Sequence, residues 1–167
     1  MDKREVALKL LTECIKLDPS NPDYYYSRAD IYYHLSDYNA ALQDCKKAIR
    51  LNPMSFEVFS FAGKICFELK QFSESVYFFE KSVQLNPELF ESYFFISSIR
   101  FYLEQFDDAL ANINNCLKLM PEFDYGILQK FKILVAKGDF EQAISVWDLL
   151  KSVNKDLADK FYAGELG

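Results

Sequence analysis

The 167-residue chain has one histidine, one tryptophan, five glycines and five prolines. So little glycine and proline excludes a collagen-like chain and a Pro/Gly-rich disordered one. No apolar run approaches the roughly 18–20 residues that cross a bilayer as a helix, so no membrane insertion is expected. The opening Met1-Asp2-Lys3-Arg4-Glu5 leads into no apolar stretch of a secretory signal. Basic residues are in the minority: 19 Lys and Arg against 25 Asp and Glu give a formal charge of −6. That balance argues against a nucleic-acid binder held by phosphate contacts. The four cysteines, Cys14, Cys45, Cys66 and Cys116, form no CxxC pair, so no metal site is expected. They read as buried free thiols of an intracellular, reducing, cytoplasmic protein. Gly63, Gly126 and Gly138 are isolated and make no phosphate loop. The lone His34 has no nucleophile or metal partner in the pattern. No catalytic residue and no cofactor are expected, and the chain does not read as an enzyme.

Aromatic residues are what the chain has in abundance, with 16 Phe and 11 Tyr. They are arranged periodically. Pro19, Pro53, Pro87 and Pro121 follow one another at intervals of 34. Tyr38, Phe72, Phe106 and Phe140 keep the same interval, as do Ala7, Ala41, Ser75, Ala109 and Ala143. Within each period the apolar spacing of three and four is helical twice over. Tyr25, Ala29 and Tyr32 share one helix face, as do Phe59, Ala62, Gly63 and Cys66. The second half of the period gives Ala41, Cys45, Ala48 and Ile49, and later Ala109, Ile113, Cys116 and Leu117. Asn21-Pro22 reads as an N-cap followed by proline at the first helical position. Ser55 can cap the next helix, with Glu57 in its first turn. Each 34-residue unit is therefore a helical hairpin.

This pattern resembles the tetratricopeptide repeat. The first full repeat reads Tyr25, Ala29, Tyr32, Tyr38, Ala41, Cys45, Ala48, Pro53; the second Phe59, Gly63, Cys66, Phe72, Ser75, Phe79, Ser82, Pro87. The third reads Tyr93, Ser97, Phe106, Ala109, Ile113, Cys116, Pro121, and the fourth Ile127, Gly138, Phe140, Ala143, Trp147. The resemblance implies an all-α, right-handed superhelical solenoid of antiparallel hairpins in a single domain over 1–167. Its parts are a half-repeat at 4–17, repeats at 22–55, 56–89, 90–123 and 124–153, and a closing helix at 156–165. Departures occur in the fourth repeat, where Phe131 and Leu150 stand at small-residue positions, and in the inter-helix turn. There only Gly138 keeps the usual glycine, while Ser36, Lys70 and Glu104 occupy the others. A non-glycine residue in a left-handed turn costs about 1 kcal/mol. The aromatic ladder at Tyr38, Phe72, Phe106 and Phe140 is expected to serve as packing.

In this family the first helices of the hairpins line the concave face. The resemblance places Asp23, Tyr26, Asp30 and Tyr33 there from the first repeat, with His34 at the edge. The second repeat gives Glu57, Phe61 and Lys64, and the third Glu91, Phe94, Phe95, Phe101 and Tyr102. Ser27-Arg28-Ala29 looks like part of the clamp that binds chaperone carboxylate tails. The clamp asparagine is Ser27, however, and Glu57 and Phe61 replace its next Lys and Arg. Asp23, Glu57 and Glu91, 34 apart, are expected to form an acidic ridge. Phe61 and Phe95 are the unusual aromatics, standing where the family is usually polar. Clustered aromatics edged by carboxylates suit a protein partner. The expected partner is a peptide or amphipathic helix with basic flanks, which makes the chain a non-enzymatic adaptor or scaffold. The alternative is a structural segment of a longer solenoid, or a self-associating assembly subunit. Lys46, Lys47 and Arg50 read as a solvated basic face, and Asp107, Asp108, Glu122 and Asp124 as residues of turns and helix starts.

Overall fold

A computed structural model describes residues 3–165. Met1, Asp2, Leu166 and Gly167 lie outside the described residues. Within them the chain forms ten helices and no strand. They are α1 (Lys3–Leu17), α2 (Pro22–His34), α3 (Tyr38–Leu51), α4 (Phe56–Glu68) and α5 (Phe72–Leu85). After these come α6 (Phe90–Tyr102), α7 (Phe106–Leu119), α8 (Asp124–Lys137), α9 (Phe140–Val153) and α10 (Lys155–Tyr162). No helix among the described residues is long and apolar enough to cross a membrane. The helices fall into two compact units that divide between Pro87 and Glu88.

Local chemistry sets the helix ends. The Asn21 side chain accepts a hydrogen bond from the Asp23 N–H at 2.9 Å, with Pro22 opening α2. Ser55 accepts from the Val58 N–H at 3.5 Å at the start of α4. Two second helices have aspartate caps that the ladder did not single out: Asp37 to the Ala40 N–H and Asp139 to the Gln142 N–H. Each satisfies one of the orphan donors of a helix start. The turns after α2, α4 and α6 place Ser36, Lys70 and Glu104 at φ of 61°, 58° and 59°. Gly138 holds the equivalent place after α8 at φ 78°. The left-handed turn expected from the repeat is therefore present in all four hairpins.

In the first unit, α2 pairs with α3 and α4 with α5, and α3 also packs on α4. The small-residue stripe lets these helices approach. Ala29, Ala41, Cys45, Ala48, Ala62 and Cys66 are completely buried. Gly63 lies against the Phe79 ring, where a Cβ would come within 2.9 Å. Ser75 donates to the Gly63 carbonyl at 2.8 Å across the hairpin. Helix α1 packs on α2 and buries no residue fully. Cys14 is accordingly half-buried, unlike the three sealed cysteines.

In the second unit, α6 pairs with α7 and α8 with α9. Ser97 donates to the Ala109 carbonyl at 2.8 Å, the positions 34 on from Gly63 and Ser75, with donor and acceptor helix exchanged. The bulky Phe131 is accommodated in a ring cluster: it lies tilted against Trp147 at 5.0 Å and edge-to-face with Phe161 of α10 at 6.0 Å. The core thereby shifts toward α10, where Leu157 and Ala158 are buried beside Leu150. Phe140 corrects the sequence reading. Tyr38, Phe72 and Phe106 are half-buried, but Phe140 is 62 % exposed and packs little.

Candidate protein-binding surface

The first unit presents a face built by α2 and α4. Tyr26 and Tyr33 lie seven residues apart on α2, two helical turns on one side. The Phe61 ring of α4 meets both edge-on, with centroids 5.6 Å from Tyr26 and 5.3 Å from Tyr33. Perpendicular ring contact is a favoured aromatic geometry. All three residues are half-buried and rest on the core of the unit. Phe61 is thus a packing residue with one side open, not a free-standing ring.

Carboxylates surround this aromatic surface. Asp30 lies one turn from Tyr26, and Glu57 one turn before Phe61. Asp30 faces His34 at 3.6 Å, and Glu57 accepts from the Ser55 hydroxyl at 2.9 Å. Glu68 accepts from the Tyr33 hydroxyl at 3.4 Å. Asp23 is exposed in the first turn of α2. Burial first, then the negative charge of Asp30, with Cys45 and Glu57 adding, raises the Tyr26 phenol above its ordinary value. Burial and then Glu68 raise that of Tyr33. Lys64 is exposed on α4. His34 is exposed at the helix end, as the sequence placed it.

Arg28 points away from this face. Its Nε and Nη2 donate to the two Asp44 oxygens at 2.7 and 2.8 Å, a bidentate fork. Nη1 reaches the Thr12 hydroxyl at 3.3 Å. The guanidinium also lies 6.0 Å from the Tyr25 centroid and 5.9 Å from that of Tyr32. The Asp44 bonds push the Arg28 pKa further up, against the opposing effect of burial. Arg28 thereby ties α1, α2 and α3 together. The sequence reading missed this, because Asp44 is 16 positions away on another helix. The available signal was an aspartate set between Ala41, Cys45 and Ala48 on a buried stripe. The basic face of α3 is similarly engaged: Lys46 pairs with Glu74 at 2.7 Å, and Lys47 lies 5.8 Å over the Tyr25 ring.

The second unit carries Glu91, Phe94, Phe95, Phe101 and Tyr102, all on α6. Glu91 and Tyr102 are exposed, and the three phenylalanines are half-buried. Phe94 contacts Phe95 at 5.9 Å and Phe123 at 5.2 Å, and Phe123 continues to Phe90 and Tyr125. Phe123 is a member of this cluster that the sequence reading left out. Phe101 turns toward Phe106 of the paired helix at 5.7 Å. Among the described residues no group of three or more His, Cys, Asp or Glu side chains is arranged to hold a metal ion. Burial drives the thiols of Cys66 and Cys116 up to about 12, and that of Cys45 up as well.

Paired antiparallel helices with a repeated small-residue seam, and first helices left facing outward, define a helical-repeat protein. The tetratricopeptide repeat family matches residues 22–55 and again 56–89. Residues 22–89 of the chain are two tetratricopeptide repeats, and the chain has the solenoid fold of that family. Solved structures agree on the fold. A MamA protein superposes with a TM-score of 0.85 at 17 % identity, covering 98 % of this chain and 87 % of that one. YrrB, described as a tetratricopeptide-repeat protein with an unusual peptide-binding site, gives 0.86 at 21 % identity, covering 98 % and 84 %. The pilF protein of Pseudomonas aeruginosa gives 0.77 at 16 %, covering 90 % and 76 %. Identities this low establish likeness of fold alone. No curated protein matches the sequence.

Proposed function

We propose that the chain is a non-enzymatic adaptor that binds a protein segment on its outward first-helix faces. Tetratricopeptide repeats are protein-interaction modules in general. The finer reading is a peptide or amphipathic helix with basic flanks, resting apolar anchors on the rings and basic side chains on the carboxylates. The observation that carries it is the face of α2 and α4, where Tyr26, Tyr33 and Phe61 are edged by Asp30, Glu57 and Glu68. In the second unit, Glu91, Phe94, Phe95 and Tyr102 offer the same chemistry. This is not the chemistry of a carboxylate clamp. An acidic tail would meet Asp23 and Glu57 on the first unit or Glu91 on the second, while the one arginine of the clamp-like triplet is committed to Asp44. A cytoplasmic, reducing setting suits the four free thiols.

Affinity capture from a cell extract tests the proposal. The native chain is compared with a Glu57→Lys/Glu91→Lys double variant, whose fold is checked by circular dichroism. Both side chains are exposed, so the variant should fold. A protein retained by the native chain and lost by the variant supports the reading. Equal retention moves the site off the first-helix faces and overturns it.

A further inference from the structure

We infer that the face of α2 and α4 contains a seat for one arginine side chain of the partner, formed by Tyr26, Tyr33 and Phe61 with Asp30 and Glu57. This rests on the adaptor reading and specifies the chemistry of its anchor.

The protein builds such a seat once already, for its own arginine. On one side of α2, Tyr25 and Tyr32 stand seven residues apart, and Arg28 lies about 6 Å from both rings. Its fork is closed by the carboxylate of Asp44. On the adjacent side of the same helix the tyrosine spacing recurs as Tyr26 and Tyr33. Here the residue between them is Asp30, a carboxylate instead of a guanidinium. Phe61 closes the ring surface from α4, and Glu57 stands one turn from it. The shared parts are two tyrosines at i and i+7 and a carboxylate, with the cation left out; the Phe61 ring is an addition that the Arg28 seat lacks. Among the described residues, neither Asp30 nor Glu57 is salt-bridged to a lysine or arginine; they face His34 and Ser55.

Arginine fits these parts better than lysine. A guanidinium is planar, stacks on ring faces, and offers several N–H donors in a fixed fork. It can lie on a ring while donating to carboxylates on both sides. An ammonium makes one point contact and holds its water more strongly. The rings are already packed on the core, so the walls need little ordering when the cation arrives.

The probe is a helix-forming alanine-based peptide with two leucines and one arginine on one face. It is compared with the same peptide carrying lysine, or citrulline, which keeps the shape without the charge. Binding is read by fluorescence anisotropy, and the seat by ring-proton shifts of Tyr26 and Phe61. The arginine peptide should bind about ten-fold tighter than the citrulline peptide, and tighter than the lysine one. Asp30→Asn/Glu57→Gln should remove that advantage and leave the citrulline affinity unchanged. Asp107→Asn/Asp108→Asn, the same charge change in the second unit, should not. Equal binding of the arginine and citrulline peptides overturns the seat. So does an arginine advantage that survives Asp30→Asn/Glu57→Gln, or that Asp107→Asn/Asp108→Asn also removes. If the seat fails while the native chain still captures a protein lost by Glu57→Lys/Glu91→Lys, the adaptor reading stands without it. Loss of both overturns both.

Discussion

Lys70 and Glu104 sit in left-handed turns at φ 58° and 59°, where Gly138 does the same work at φ 78° without a Cβ to crowd the carbonyl. Each hairpin needs the turn, so the strain is offset by the helix pairing it permits. Replacing either residue by glycine should stabilise the protein by up to about 1 kcal/mol, less the extra freedom glycine gives the unfolded chain. Thermal melts of Lys70→Gly and Glu104→Gly check this; a fall in both melting temperatures refutes it. The buried cysteines make a prediction about pH. An unfolded thiol ionises near 9, whereas burial holds Cys66 and Cys116 at about 12. Below pH 9 both states keep the proton and the thiols contribute no pH dependence. Between about 9 and 12 the unfolded chain releases a proton that the native one retains. Stability therefore falls as pH rises, by roughly 1.4 kcal/mol per pH unit for each such thiol. Denaturant midpoints from pH 8 to 10.5 should decline less steeply for Cys116→Ala than for the native chain. Parallel curves would refute burial of that thiol.

Among the elements, α10 does more than end the second unit. Its Phe161 meets Phe131 and Trp147, and Leu157 joins Leu150 in a common core. Because Trp147 is the single tryptophan, it reports on that contact. Phe161→Ala should shift tryptophan emission to the red and cost less than the roughly 1.5–3 kcal/mol of a fully buried ring, because Phe161 is half-buried. Unchanged emission would mean that α10 does not cover Trp147. The same helix shows where the sequence was legible and where it was not. Three 34-residue ladders fixed the hairpins, because proline, aromatic and small residues each answer to a backbone constraint that recurs. The caps at Asn21 and Ser55 followed from local chemistry alone, and the left-handed turns from the glycine that the resemblance puts at that position. Phe131 read only as a departure from a small-residue position. Its partners, Trp147 and Phe161, come from two other helices, and no periodicity announces a three-ring cluster. Phe140, 62 % exposed, lacks the packing role its place in the ladder implied. Arg28 shows the same limit: its register suggested a clamp, but Asp44 and Thr12, each 16 residues away, determine where it points.

For the molecule as a whole, a net charge of −6 leaves a mild field that repels acidic partners and draws basic ones. Where the charge stands matters more than its sum. Arg28, Lys46 and Lys47 are engaged with Asp44, Glu74 and Tyr25, so those cations do little to offset the face of α2 and α4. Asp23, Asp30 and Glu57 remain at the surface of that face, and Glu91 is exposed on α6. A basic peptide bound there should lose affinity by roughly an order of magnitude between 50 and 500 mM salt, because exposed charges are screened within a few ångströms at the higher value. The part of its affinity that comes from rings such as Tyr26 and Phe61 should persist, since apolar burial does not weaken with salt. Glu57→Lys/Glu91→Lys should bind more weakly at 50 mM and approach the native affinity at 500 mM, flattening the plot of log affinity against log salt. A variant that stays equally weak at both concentrations would mean that the two glutamates act through the fold. A variant that binds like the native chain at 50 mM would mean that the basic partner lies elsewhere. Convergence at high salt would assign the long-range attraction to the carboxylates and the remaining affinity to the aromatic surface beneath them.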